Sequence, residues 1–276
     1  MPKTDDSSTV ATKANLNLSE VIEPEKKHKK LPWSPFLAVV FVLVLYVLTQ
    51  IVAGLLISIY PALQHWTGQR TTDWLNNSVF AQFGYMVMIE VATLGGLWWF
   101  LRRYKSTFRD LGLTRHPRIF DPLLAVGGFI TYFGVYILLV SVMSHLVPAL
   151  NVSQPQDIGF SNASGVVALT LTFISLVILP PVTEEILMRG FLFGSLRRKM
   201  PFVISAVLTS AIFASGHLTG GGQGSPLLWI AFIDTFILSL VLCYLREKTG
   251  RLWASIGVHM IKNGVAFVSL FLLHLH

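Results

Sequence analysis

The chain has 276 residues, of which only 13% are charged and 53% are hydrophobic, against roughly 25% charged in an ordinary soluble domain. A chain with a mean hydropathy of +0.62 cannot keep its surface wetted. A soluble globular domain is therefore excluded, and lipid, which demands internally satisfied backbones and therefore helices, is the expected solvent. The net charge of +7 and the pI near 9.6 call for no nucleic-acid partner, because the basic residues gather in short clusters beside apolar segments, where they set topology and meet anionic headgroups.

Met1 to Ser34 is polar, rich in Ser, Thr, Lys and Glu, and has no apolar run before Leu31. It reads as a disordered cytoplasmic tail that is retained, since a cleaved signal would need an apolar stretch directly after its charged start. Lys26 to Lys30 could hold this tail to the lipid surface. Residues 35–276 then form one membrane domain. Seven apolar stretches follow in order: Pro35 to Tyr60, Phe80 to Leu101, Pro122 to Val147, Val166 to Phe193 (interrupted), Pro201 to Leu218, Pro226 to Leu245 and Leu252 to His274. Most approach the ~20 residues that cross the hydrocarbon. The connectors, such as Asn76 to Ser78, Gln154 to Ser164 and Gly220 to Ser225, carry turn residues. The expected fold is an all-α, polytopic transmembrane helix bundle of about seven or eight spans, without internal repeats.

Six Lys lie in the tail, six basic residues between Arg102 and Arg118, three from Arg197 to Lys199, and three more at Arg246, Lys248 and Arg251. These 18 of 21 fall on one side of the alternating spans. Basic residues resist translocation, so that side is cytoplasmic, with the N-terminus inside and the C-terminus outside. The exceptions are Arg70 in an opposite connector and Arg189 and Lys262 within apolar segments. The single cysteine, Cys243, excludes an internal disulfide and sits where a thiol packs.

Function is sought where ionisable groups lie inside spans, because each persists in hydrocarbon only with a partner or a task. Pro180 to Arg189 reads PPVTEEILMR, and its two prolines should bend or restart the helix just before the glutamates, with Thr183 available as a cap. Glu184 and Glu185 project about 100° apart. Glu185 and Arg189 have the spacing of a helical ion pair, which assigns that pair to structure and leaves Glu184 as the free carboxylate facing the bundle interior. His259 and Asn263 project from one helix face. His217 stands near a glycine-rich loop. Glu90 and Asp234 are accessory candidates: each either bonds a neighbouring helix or belongs to a polar path bringing water to Glu184.

These residues resemble the CAAX protease and bacteriocin-processing superfamily (CPBP, or Abi) over about residues 165–265. The blocks are Glu184, Glu185 and Arg189; Phe213 and His217; His259 and Asn263, with the run Thr249 to His259 also similar. Where the family often has small residues, this chain has Ser239, Leu240 and Val241. The resemblance implies an intramembrane protease in which Glu184 and His217 hold and deprotonate a water, while His259 and Asn263 stabilise the oxyanion. Such chemistry needs no Ser or Cys nucleophile. One carboxylate and two histidines also make up a zinc ligand set, but the spacing is not that of HExxH, and a glutamate mechanism with no cofactor is the expectation. The partners expected are a peptide or membrane-protein substrate and the lipid bilayer, in a bacterial plasma membrane. Two other readings are a non-catalytic peptide-binding or immunity-type regulatory protein, and a proton-coupled transporter using Glu90, Asp234 and Glu184. Counting ~1.5 Å per residue from each basic cluster puts Glu184, His217 and His259 within the hydrocarbon but at depths differing by about 15 Å, so tilt, a kink or a re-entrant segment must bring them level.

Overall fold

The computed structural model describes residues 32–113, 116–148, 150–152, 156–219 and 227–274. Most of the sequence's tail reading lies outside the described residues. Near its end at Ser34, Trp33 is only 3% exposed. The Trp33 indole N–H donates to Ser195 Oγ at 2.7 Å, and its ring packs against Phe100 and Phe191 at 5.3 and 5.2 Å. A buried indole needs both apolar walls and a polar partner, and the bundle supplies both.

Ser34 caps α1 (Pro35–Leu63) by accepting from the Leu37 N–H at 3.1 Å, and proline fits the first helical position because its missing N–H has no partner there in any case. The connector after α1 contains a helix that hydropathy does not reveal, α2 (Gly68–Asn77), capped by Thr67. Trp74 packs on Tyr60 and Trp66, and Arg70 lies 4.4 Å over the Trp66 ring. This aromatic and cationic surface suits a membrane–water interface. Next come α3 (Val79–Arg103), a short 3₁₀ turn at Phe108–Leu111 and α4 (Asp121–Leu146). The rest of the bundle is α5 (Gly165–Leu196), α6 (Phe202–Ser215), α7 (Trp229–Thr249) and α8 (Trp253–Leu272). Six of these helices are long and apolar enough to cross a membrane, while α6 is a shorter apolar helix of 14 residues.

The expected interruption of the fourth apolar stretch is not a break. Gly165–Leu196 runs on as one 32-residue helix, because the backbone widens into π-helix at Ile174–Ile178 and again at Ile186–Phe193. The Leu179 N–H reaches back five residues to the Ile174 carbonyl. A π turn adds room that relieves the clash between a proline ring and the preceding turn, so Pro180 and Pro181 are absorbed without a restart.

One end of the bundle is laced by basic side chains. Arg251 pairs with Asp121 at 2.7 Å, Arg197 with Glu247 at 2.6 Å, and Arg246 donates to the Leu111 carbonyl at 3.1 Å. These contacts bring α4, α5, α7 and the 3₁₀ turn to a common end. Elsewhere, close approach depends on small residues, as in other membrane bundles. A Cβ on Gly257 would stand 2.7 Å from Ala125 Cβ, where α8 crosses α4. Gly257→Ala is therefore expected to cost about 1–3 kcal/mol through helix displacement. A thermal midpoint in detergent equal to that of the wild type would show that α4 and α8 separate freely.

Candidate active site

Four helices, α1, α3, α5 and α6, surround a cavity of about 420 Å³. Its walls are mainly apolar, among them Val42, Met86, Ile89, Leu187 and Phe213, and its polar lining includes Glu90, Thr183, Glu184 and His217. The Glu184 side chain keeps about a third of its surface open, at 33%, onto the cavity that it lines. Glu90 is nearly enclosed at 7% exposure, and its carboxylate interacts with the Thr183 hydroxyl. Thr183 is therefore a cavity-wall residue rather than the cap expected of it.

Behind Glu184, the Glu185 carboxylate is fully buried. Arg189 Nη1 donates to Glu185 Oε1 at 2.8 Å, four residues along the same helix, and neither side chain has any exposed surface. Structure adds a second partner: His259 Nδ1 lies 3.0 Å from the same Glu185 oxygen. A carboxylate oxygen can only accept, so Nδ1 carries the hydrogen there. This leaves Nε2 turned towards Glu184, with Oε2 3.7 Å away. The two glutamates diverge as the helix period requires, yet the imidazole of His259 spans both, so Glu185 is not confined to its arginine.

Phe213 holds the group together. Its ring meets His217 edge-on at 5.2 Å and His259 at 6.0 Å, and the Arg189 guanidinium stands 4.5 Å over it. His217 follows the end of α6, with Nδ1 3.2 Å from the Phe213 carbonyl. That carbonyl accepts only, so Nε2 is the ring nitrogen left with a lone pair. The short length of α6 is how His217 comes level with Glu184: the helix ends after Ser215 instead of continuing across the membrane.

Asn263 points to α5 rather than to the cavity, its Nδ2 donating to the Leu176 carbonyl at 2.8 Å. The reason is written in the sequence. The residues four and five beyond Leu176 are Pro180 and Pro181, and neither has an N–H to give. The carbonyl would be orphaned in an apolar interior at a cost of about 1–3 kcal/mol, and Asn263 satisfies it.

Asp234 and Glu90, considered together as accessory residues, occupy different surroundings. Asp234 accepts from the Tyr132 hydroxyl and pairs with Lys262 Nζ at 3.1 Å, whereas Glu90 faces the cavity. The sequence reading noted Lys262 inside an apolar segment without finding its counter-ion. A lysine in a span needs an acidic partner, and Asp234 was the available one. Removing the cation alone strands a charge, so Lys262→Met should lower stability by roughly 3 kcal/mol, more than Lys262→Met combined with Asp234→Asn. Equal midpoints for the single and double variants would remove the pair from the stability account. Tyr46, which lines the cavity, had no signal in the sequence because it is one aromatic among many in an apolar span.

For zinc, the geometry does not gather a ligand set: among the described residues no three His, Cys, Asp or Glu side chains form a metal-holding group.

Residues 166–265 match the family described as Type II CAAX prenyl endopeptidase Rce1-like, so the family read from the three polar blocks is the one that this region matches. A Bacillus subtilis (strain 168) protein named "Putative membrane peptidase YdiL" is 31% identical over 96 residues. That alignment covers 35% of this chain and 36% of the relative's length. No solved structure matches significantly.

Proposed function

We propose that this chain is an intramembrane endopeptidase that hydrolyses a peptide bond by means of a water activated at Glu184 and His217. The observation that carries this reading is a carboxylate and a histidine lining one apolar-walled cavity, directly in front of a buried Glu185–Arg189–His259 assembly. The family match and the name of the bacterial relative support a peptidase. Water is held between the Glu184 carboxylate and His217 Nε2. Glu184 takes its proton as the oxygen attacks the scissile carbonyl, and then passes that proton to the leaving amine. A dry site strengthens both steps, because water does not compete with prepositioned groups.

His259 is assigned to the oxyanion, while Asn263, whose amide is turned away from the cavity onto the Leu176 carbonyl, is assigned to holding α8 against α5. His259 donates from Nε2 only when doubly protonated, a form that the Glu185 carboxylate against Nδ1 favours and the burial of the ring opposes. Glu90, facing Glu184 across the cavity, conducts water to it. The substrate is a peptide or membrane protein that enters from the bilayer, and the basic end of the bundle faces the cytoplasm of a bacterium. The catalytic group is metal-free; stoichiometric bound metal whose removal abolished turnover would overturn that assignment.

The test compares new peptide termini in membranes carrying wild-type protein or Glu184→Gln at matched abundance. Termini confined to the wild type are expected. Identical termini from both, with both folded, would instead support a peptide-binding or regulatory protein.

A further inference from the structure

A second cavity, of about 280 Å³, opens at the basic end of the bundle, where α5 turns into α6 beside the last turns of α7. Among the described residues its charged lining is Arg197, Arg198, Lys199 and Arg246 with the carboxylate of Glu247, while Phe193 and Gly194 contribute an apolar floor. Cations gathered around a hollow favour a negative group there, and one of them, Arg197, is already met by Glu247. It binds Arg197 in a bidentate fork at 2.6 and 3.0 Å, and the third edge of that guanidinium is held by the Met200 carbonyl at 2.7 Å. Arg197 is therefore a wall held in place through three of its five N–H donors.

The donors still directed outward belong to its neighbours. Arg198 spends Nη1 on the Trp33 carbonyl at 2.7 Å, which anchors the side chain and leaves the rest of its planar fork. Lys199 is exposed and has three ammonium hydrogens. A guanidinium fork beside an ammonium suits a phosphate group, which accepts from both with charge assistance. Immediately after the pocket, the first turn of α6 exposes Val203 and Ile204, at 66% and 50%, an apolar face that would lie along an acyl chain.

The geometry points to this pocket as a binding site for the phosphate of an anionic lipid headgroup, with Arg198 and Lys199 as its main donors and the lipid's chains running beside α6. A basic hollow between helices at one membrane surface meets anionic headgroups where they are most concentrated. Free phosphate offers the same head chemistry but gains nothing from Val203 and Ile204, so the lipid is the occupant argued for.

The experiment uses the full purified chain in detergent, with phosphatidylglycerol, phosphatidylcholine of the same acyl composition, or inorganic phosphate added separately, and reads bound lipid by native mass spectrometry together with the thermal midpoint. Phosphatidylglycerol should bind and raise the midpoint, while phosphatidylcholine and inorganic phosphate at equal concentration should not. Replacing both donors (Arg198→Gln, Lys199→Gln) should weaken phosphatidylglycerol binding roughly 25-fold, at roughly fivefold for each cation removed. The lipid-free midpoint reports whether this variant folds; if it does not, Lys199→Gln alone, at the exposed position, should still lose roughly fivefold. Unchanged phosphatidylglycerol binding in a folded variant would overturn the assignment, as would stabilisation by inorganic phosphate equal to that by the lipid.

Discussion

Glu184→Gln is expected to reduce peptide hydrolysis by roughly 10²–10⁴-fold, the range that a positioned general base contributes, with little change in thermal midpoint. The amide keeps the shape and the place on the cavity wall but cannot take a proton from water. Stability should hold because Glu184 is the one glutamate of the pair that faces open space, with a third of its side chain uncovered, and buried His259 keeps its closer carboxylate, Glu185. Glu90→Gln should slow turnover far less, since its carboxylate lies across the cavity against Thr183 and has no bond to make or break. The check is a rate measured on a peptide identified from the wild-type-specific termini, with midpoints recorded for all three proteins. A Glu184→Gln rate within a factor of two of wild type would sink the general-base assignment, whatever the family match.

Arg189→Met should have the opposite signature: a large loss of stability, with activity falling chiefly as folded protein is lost. Arg189 and Glu185 are both completely buried, and Glu185 also holds His259. Removing the guanidinium leaves a carboxylate uncompensated where water cannot reach it, which costs about 3–5 kcal/mol. For a chain of this size that corresponds to roughly 10 °C in midpoint, at about 2–4 °C per kcal/mol. The cation stacked on Phe213 is lost as well, so the ring that touches both histidines loosens. Combining Arg189→Met with Glu185→Gln should recover part of the loss, because no bare charge remains. A double variant no more stable than Arg189→Met alone would contradict the charge argument and leave packing as the cause.

Much of this molecule is legible one residue at a time. Lipid solvent, helical class and the order of the spans follow from hydropathy, because a hydrocarbon environment allows so few backbone solutions. The two glutamates and the arginine could be separated into cavity-facing and structural residues by helix period alone. Seven apolar stretches were visible, and each overlaps one of the long helices or the short α6. Hydropathy does not register α2, because an interfacial helix is amphipathic and its Arg70, Thr71 and Asp73 dilute the signal. Trp33 reads as the end of a polar tail, since its burial depends on Phe100 and Phe191 from two distant helices.

What the sequence determined by itself is therefore the set of groups that must be answered in an apolar medium: each charge, and the carbonyl left without donors by two consecutive prolines. Which group answers which was decided only by the tertiary structure. Glu185 took His259 as well as Arg189, Asp234 took Lys262 and Tyr132, and Asn263 took the Leu176 carbonyl. These pairings join positions as far apart as 102 residues in the chain. Local periodicity says on which face of a helix a side chain lies, but the neighbour on that face is set by helix packing, and packing here depends on π turns and small-residue contacts. The same argument separates Glu90 from Asp234, which look alike as lone acids in spans. Only the assembled bundle puts one on the cavity wall and the other in an ion pair.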